Sequence, residues 1–212
     1  MKFIIHLFVL ELFILSNTCN VTATVLSKNY DKVNLETPKK NHYCSPMDAI
    51  LSRQSVRDYT SEPVATEQVS MILKAGFAAP SAMGSRPWHF LAIDDRTVLG
   101  NLAGLHSYAG MLRLAPFAVL ICGDRSLEVI ADKFEQNCSA ATENILIAAT
   151  ALGLGSVWVG IYPDEGLMKK FREALNIPEK IFPFAIVPIG YPKKSLSPRE
   201  SYIPERVHMN RW

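Results

Sequence analysis

Residues 136–162, QNCSAATENILIAATALGLGSVWVGIY, decide the fold. Ala141, Ile145, Ala148 and Leu152 recur at helical spacing, and Leu146, Ala149 and Ala151 widen the stripe. Glu143 is the only charge before Gly153. A helix this apolar lies inside a structure, and its small side chains let neighbouring backbones approach. Gly153 and Gly155 end it, because glycine takes the left-handed conformation of a helix C-terminus at little cost. Ser156 to Tyr162, rich in valine and aromatics, reads as a strand. The stretch therefore predicts a buried helix feeding a strand through a glycine turn, whose bare amides can meet a flat ligand.

Working outward, Ser45 and Pro46 start a short helix with Met47, Ile50 and Leu51 on its apolar side. Thr66 is positioned to cap a second helix carrying Val69, Ile72, Leu73 and Phe77, which Pro80 stops. Strands are expected over 88–93, 117–122, 155–162 and 181–189, and further helices over 97–105 and 164–175, the last capped by Asp164. Pro183 and Pro188 push the last strand toward a sheet edge or bend it. Strands and helices alternate without tight hairpin signals, which predicts an α/β or α+β domain with one sheet covered by helices. The proline-bearing tail beyond Tyr191 has no periodicity and is expected to lie across another surface.

The 212 residues are 49% hydrophobic and 20% charged, which suits one globular domain over residues 45–212. A net charge of +2, spread along the chain, gives no footprint for nucleic acid. Residues 1–23 pair a short positive end with an apolar run and a small polar stretch, the pattern of an export signal cut after Ala23. Residues 24–44 read as a linker, and no membrane span is expected after cleavage. An exported location is the expectation if the signal is real, and a cytoplasmic one otherwise. Cys122 and Cys138 fall in apolar contexts and read as buried free thiols. The Asn137-Cys138-Ser139 sequon falls on the apolar helix, where a glycan has no room. No spacing of cysteine and histidine resembles a metal site.

Two segments carry candidate chemistry. Arg53, Ser55 and Arg57 share one side of an extended stretch, and two guanidiniums with a hydroxyl make a cradle for an oxyanion. The loop Ala79–Trp88 is stiffened by proline at both ends; Ser81, Ser85 and its amides can hydrogen-bond the rim of a planar heterocycle. Neither a P-loop nor a dinucleotide fingerprint is present, so side chains must hold any phosphate.

In this order the segments carry a resemblance. RQSVR resembles the R-x-S-x-R opening of the nitroreductase family of flavoproteins. APSAMGSRPW is similar to that family's A-P-S-x-x-N-x-Q-P-W, and ALGLGSVWVG to its helix-to-strand segment. IGYP and the ending RVHMNRW complete a match running from about Met47 to Trp212. The resemblance implies an α+β fold with a mostly antiparallel central sheet flanked by helices, and a C-terminal tail reaching onto a partner subunit. It implies a homodimer with FMN at the interface, reduced by NADH or NADPH and reoxidised by nitroaromatics, quinones or similar acceptors. Carried over by position, Arg53, Gln54, Ser55 and Arg57 would hold the FMN phosphate, ribityl and pyrimidine edge. Pro80, Ser81, Ala82, Met83 and Gly84 would reach the partner's flavin. Val157, Trp158, Val159 and Gly160 would lie on its reactive side, and Arg199 on the phosphate. Gly84 stands where the family often has Asn, so a backbone amide or Ser85 is expected to substitute. The resemblance implies that FMN carries the redox chemistry, so no acid–base dyad is expected. An exported flavin-binding protein without NAD(P)H-dependent turnover is the competing expectation, because nicotinamide cofactor is scarce outside the cell.

Overall fold

The computed structural model describes residues 44–195 and 201–212. The leader, nearly all of the linker, and Arg199 lie outside the described residues. Five helices and five strands follow in order: α1 Pro46–Ser52, α2 Thr66–Phe77, β1 Trp88–Ile93, α3 Arg96–Leu105, β2 Phe117–Asp124, α4 Phe134–Ala151, β3 Gly155–Ser156, β4 Val159–Gly160, α5 Glu165–Leu175 and β5 Ile181–Gly190. All named strands pair antiparallel, in the order β1-β2-β5-β3, with β4 also on β5. This is the α+β alternative.

The sheet is sandwiched between two helical layers. Ala118, Leu120 and Ile186 face α3 and α5, packing with Leu99, Leu102, Met168 and Phe171. Val119, Ile121, Val187 and Ile189 face α2 and α4, packing with Val69, Ile72, Ile145 and Leu146. Each buried Val, Leu, Ile, Met or Phe among these contributes about 2 kcal/mol of transfer free energy. Cys122 and Cys138 are buried free thiols, and burial pushes both up to about 12.

Where β5 lies corrects one half of the sequence expectation, the sheet edge, and leaves the other, a local irregularity. It is a central strand, despite Pro183 and Pro188. The sheet accommodates both prolines at irregularities. Pro183 pairs with Cys122 beside a register shift, and Pro188 stands where the facing edge breaks between β3 and β4. The bulge leaves its mark on the core: Phe184 and Ala185, consecutive in sequence, both pack on the α4 side.

Other corrections are local. Ala65, not Thr66, precedes α2, and the Gln68 side chain accepts the Ala65 amide at 3.1 Å in place of a Thr cap. The expected strand 155–162 is two short pieces, because residues 157 and 158 leave the ladder. In α4 the buried stripe is Phe134, Cys138, Ala141, Ile145 and Ala149; Ala148 and Leu152 are only half-buried. In α1 only Ala49 is buried, while Met47, Ile50 and Leu51 are 60%, 49% and 65% exposed. The apolar side of α1 thus points away from the core. Tyr202, Ile203, Val207, Met209 and Trp212 of the tail are exposed too.

Candidate functional site

Residues 53–57 run as predicted, with Ser55 and Arg57 exposed and Val56 buried between them. The Val56 amide donates to Ser156 O at 2.9 Å, and Ser55 bridges Ser156 in parallel. Close approach is possible because residue 155 is glycine: a Cβ there would lie 2.7 Å from Val56 Cβ. Gly155 is therefore a spacing residue, and only Gly153, at φ 76°, takes the left-handed turn. Farther on, Tyr59 is buried and donates its hydroxyl to Val56 O at 2.5 Å, with Pro188 O at 3.2 Å. Burial pushes its ionisation well above the ordinary tyrosine range, with Arg57 opposing weakly. Thr60 N to Tyr191 O and Lys193 N to Asp58 O tie the segment to the end of β5.

This fixes Arg57 at a cleft of about 700 Å³ that is also lined by His106, Tyr108, Met111 and residues 157–160. Val157 and Val159 turn their side chains into the core. Trp158 is half-buried, its ring 5.8 Å from that of Phe184. What the wall offers the cleft is therefore mainly backbone. At Gly160 an added Cβ would meet only Trp158 Nε1, at 4.0 Å. His106 was not anticipated from sequence: its Nε2 lies 3.0 Å from Gly160 O, and its Nδ1 accepts the Tyr108 amide at 2.9 Å. Since a carbonyl only accepts, the ring is the neutral tautomer with hydrogen on Nε2.

The loop 79–88 is a second, separate feature. A 3-10 turn over Ala82–Gly84 puts Met83, Gly84 and Arg86 at positive φ of 52°, 69° and 45°. Two of these are non-glycine residues held in a sparsely populated region, as happens at ligand-facing turns. Contrary to the sequence reading, the amides are not an open row. Gly84 N donates to Ser81 O, Ser85 N to Ala82 O and Arg86 N to Ser81 Oγ. Asn137 of α4 takes the Ala82 amide at 2.9 Å, and its Nδ2 reaches Ser85 Oγ at 3.4 Å and Glu128 Oε1 at 3.3 Å. Asn137, read from sequence only as a sequon, is thus the loop's anchor. Ser85, expected to replace the missing Asn side chain, is drawn toward Asn137.

The single chain does not bring all the predicted residues together. The loop hangs from Asn137 and the glycine turn follows Leu152; fifteen residues of helix between them span roughly 22 Å. Arg53 sits between, with Nε 3.2 Å from Glu143 Oε1. Gln54 makes its own contacts at the end of α1. Each half carries a buried polar atom without a partner among the described residues: Ser156 Oγ beside Ser55, and Trp88 Nε1 beneath the loop. Among the described residues no group of three His, Cys, Asp or Glu could hold a metal ion, and no helix is long and apolar enough to cross a membrane.

The profile of the Nitroreductase family matches residues 50–105 and 100–191. A Methanothermobacter thermautotrophicus protein provisionally named NADH dehydrogenase/NAD(P)H nitroreductase is 39% identical over 181 residues, covering 85% of this chain and 95% of its own. An FMN-dependent nitroreductase from Clostridium difficile superposes with a TM-score of 0.73 at 30% identity, covering 78% of this chain and 99% of its own. A Desulfovibrio desulfuricans protein provisionally assigned as a nitroreductase, solved in complex with FMN, gives 0.68 at 30% identity, covering 82% and 99%. With that match over most of the described chain, and with the arginine segment, glycine turn and proline-bounded loop in the same order, the chain belongs to the nitroreductase family.

Proposed function

We propose that this chain is an FMN-dependent oxidoreductase that takes electrons from NADH or NADPH and delivers them to nitroaromatic, quinone or similar acceptors. The observation that carries this is the cleft that Arg57 shares with a wall of mainly backbone, Val157–Gly160. The residues present fit the cofactor. The cleft's volume suits a flat tricyclic ring. Gly160 adds no side chain to obstruct it. Arg53, Ser55 and Arg57 supply two cations and a hydroxyl, the donor set a ribityl phosphate needs. When bound, FMN supplies the two-electron chemistry itself. The chain's part is to hold the ring, to favour added negative charge through Arg57, and to limit water with the Tyr108–Leu114 wall.

The same reading makes the protein a homodimer. The loop Pro80–Gly84 and the Arg57 cleft lie about four helical turns apart in one protomer, so one ring meets both only if a partner supplies the loop. The outward apolar side of α1, the half-buried small residues Ala140, Ala148 and Ala151, and the uncovered tail are the surfaces such a partner would cover. We further read residues 1–23 as an export signal, which mass spectrometry of the mature N-terminus tests.

The discriminating experiment is an absorbance spectrum of the purified protein, taken anaerobically before and after NADH or NADPH. A yellow protein bleached by either nucleotide supports the reading. A flavin-loaded protein that neither nucleotide bleaches points to a carrier without turnover. A colourless protein that FMN does not titrate overturns it.

A further inference from the structure

One histidine joins two walls of the cleft. Its Nε2–H donates to Gly160 O at 3.0 Å, and its Nδ1 accepts from Tyr108 N at 2.9 Å. The same peptide is held at its other end, where Ile161 N donates to Phe184 O at 2.9 Å. The plane between Gly160 and Ile161 is therefore fixed on both sides, and His106 is the only one of the two partners that belongs to the cleft wall. Glycine at 160 has no side chain to restrain it and samples backbone conformations broadly. Without His106 that peptide is free to tilt about the strand end. Meanwhile Tyr108, 78% exposed with its ring 5.9 Å from the imidazole, is carried on the residue whose amide His106 holds.

We propose that His106 is a positioning residue for the cofactor. It orients the Gly160 peptide against which the flavin ring rests, and through Tyr108 it ties the acceptor-facing wall to that peptide. This rests on the FMN reading above. It adds that ring placement and acceptor access are coupled through one imidazole, so a change on one wall is felt by the other.

Two variants divide the two hydrogen bonds. His106→Asn keeps an acceptor at the Nδ1 position, forming an Asx-type turn to the Tyr108 amide, but does not reach Gly160. His106→Gln keeps a donor near the Nε2 position for Gly160 O. His106→Ala removes both. The first readout is FMN affinity of the apo dimer by flavin fluorescence; the second is the reduction potential of the bound flavin; the third separates kcat from KM for a quinone. The proposal expects Asn and Ala to weaken FMN binding by about tenfold, the scale of one lost hydrogen bond, and Gln to restore most of it. It expects the potential to move in Asn but not in Gln, while Asn keeps the wild-type KM and Ala raises it. It is overturned if Asn and Gln bind FMN like wild type with unshifted potential, or if all three variants lose FMN equally while remaining folded by circular dichroism. Failure of the FMN reading shows separately, as wild-type protein that does not take up FMN at all.

Discussion

Asn137 accepts the amide hydrogen of Ala82 at 2.9 Å across 55 residues of chain, and so ties the first turn of α4 to the loop Ala79–Trp88. Asn137 is 3% exposed, and its own amide donates to Lys133 O at 2.9 Å, so the side chain is left to serve the loop. One side chain fixes a loop that holds two non-glycine residues at positive φ.

Replacing Asn137 by alanine leaves the Ala82 amide without its acceptor and removes the donors facing Ser85 and Glu128. A loss of about 1–3 kcal/mol in unfolding free energy is expected, the cost of unpairing a buried group. Because the loop is proposed to serve the partner's cofactor, FMN affinity should fall too. Urea denaturation and a flavin fluorescence titration on the same sample measure both. Unchanged stability with unchanged FMN binding would show that the loop holds itself.

Gly153 and Gly155 are distinguishable by substitution. Gly153→Ala meets nothing within 4 Å, so its cost is the left-handed φ alone, about 1 kcal/mol, and Gly153→Asn should recover part of it. Gly155→Ala pushes its methyl into Val56 Cβ, 2.7 Å away, and must part the Val56–Ser156 hydrogen bond. A cost of about 1–3 kcal/mol is expected from overpacking, and asparagine should not relieve it. Thermal melts of the four variants decide.

Much of this was legible in the sequence, for identifiable reasons. The layers follow from periodicity, and Ser45 and Asp164 cap α1 and α5 as their residue types predict. The Arg53–Arg57 alternation survives because burying Val56 forces its neighbours outward. What sequence could not show was tertiary. A strand with two prolines reads as an edge or a bent strand, and only the pairing shows it central, with a bulge and a broken facing edge absorbing them. Met47, Ile50 and Leu51 read as the apolar side of α1, and apolarity alone does not say whether the cover is this chain or another. His106 and Asn137 escaped notice since their work is to hold distant backbone atoms, and no local spacing announces that. A sequon on an apolar helix was the only hint of Asn137, a polar residue that needs an internal partner there.

Asp124 predicts the acid limit of stability. Its carboxylate accepts from the Ser126 hydroxyl at 2.5 Å and amide at 2.8 Å, and Lys180 Nζ lies 3.1 Å away. The Ser126 hydroxyl first, with Lys180 helping against desolvation, holds the group down to about 2. A carboxyl lowered on folding stabilises the protein above its unfolded value near 4, and that contribution is lost as pH falls toward 2. Urea midpoints between pH 5 and pH 2, roughly that window, should fall more steeply for wild type than for Asp124→Asn. Parallel curves would place the acid sensitivity elsewhere.

Arg53 is held by Glu143 at 3.2 Å with both side chains partly exposed, at 32% and 45%. A pair this solvated contributes about 0–1 kcal/mol, so Glu143→Gln should hardly alter the melting temperature. Its consequence for ligand binding has a defined sign. If Arg53 serves the FMN phosphate, Glu143 competes with that phosphate for one guanidinium, and Glu143→Gln should leave FMN affinity equal or higher. Arg53→Ala should lower it by about tenfold or more, the scale of a lost charge-assisted hydrogen bond, and the loss should shrink as salt screens the wild-type interaction. Fluorescence titrations of the apo protein with FMN and with riboflavin separate the phosphate from the ring. Arg53→Ala should weaken FMN while sparing riboflavin, whereas Arg57→Ala, beside the ring wall, should weaken both. Equal losses for the two ligands in Arg53→Ala would remove Arg53 from the phosphate and make Glu143 its structural partner only.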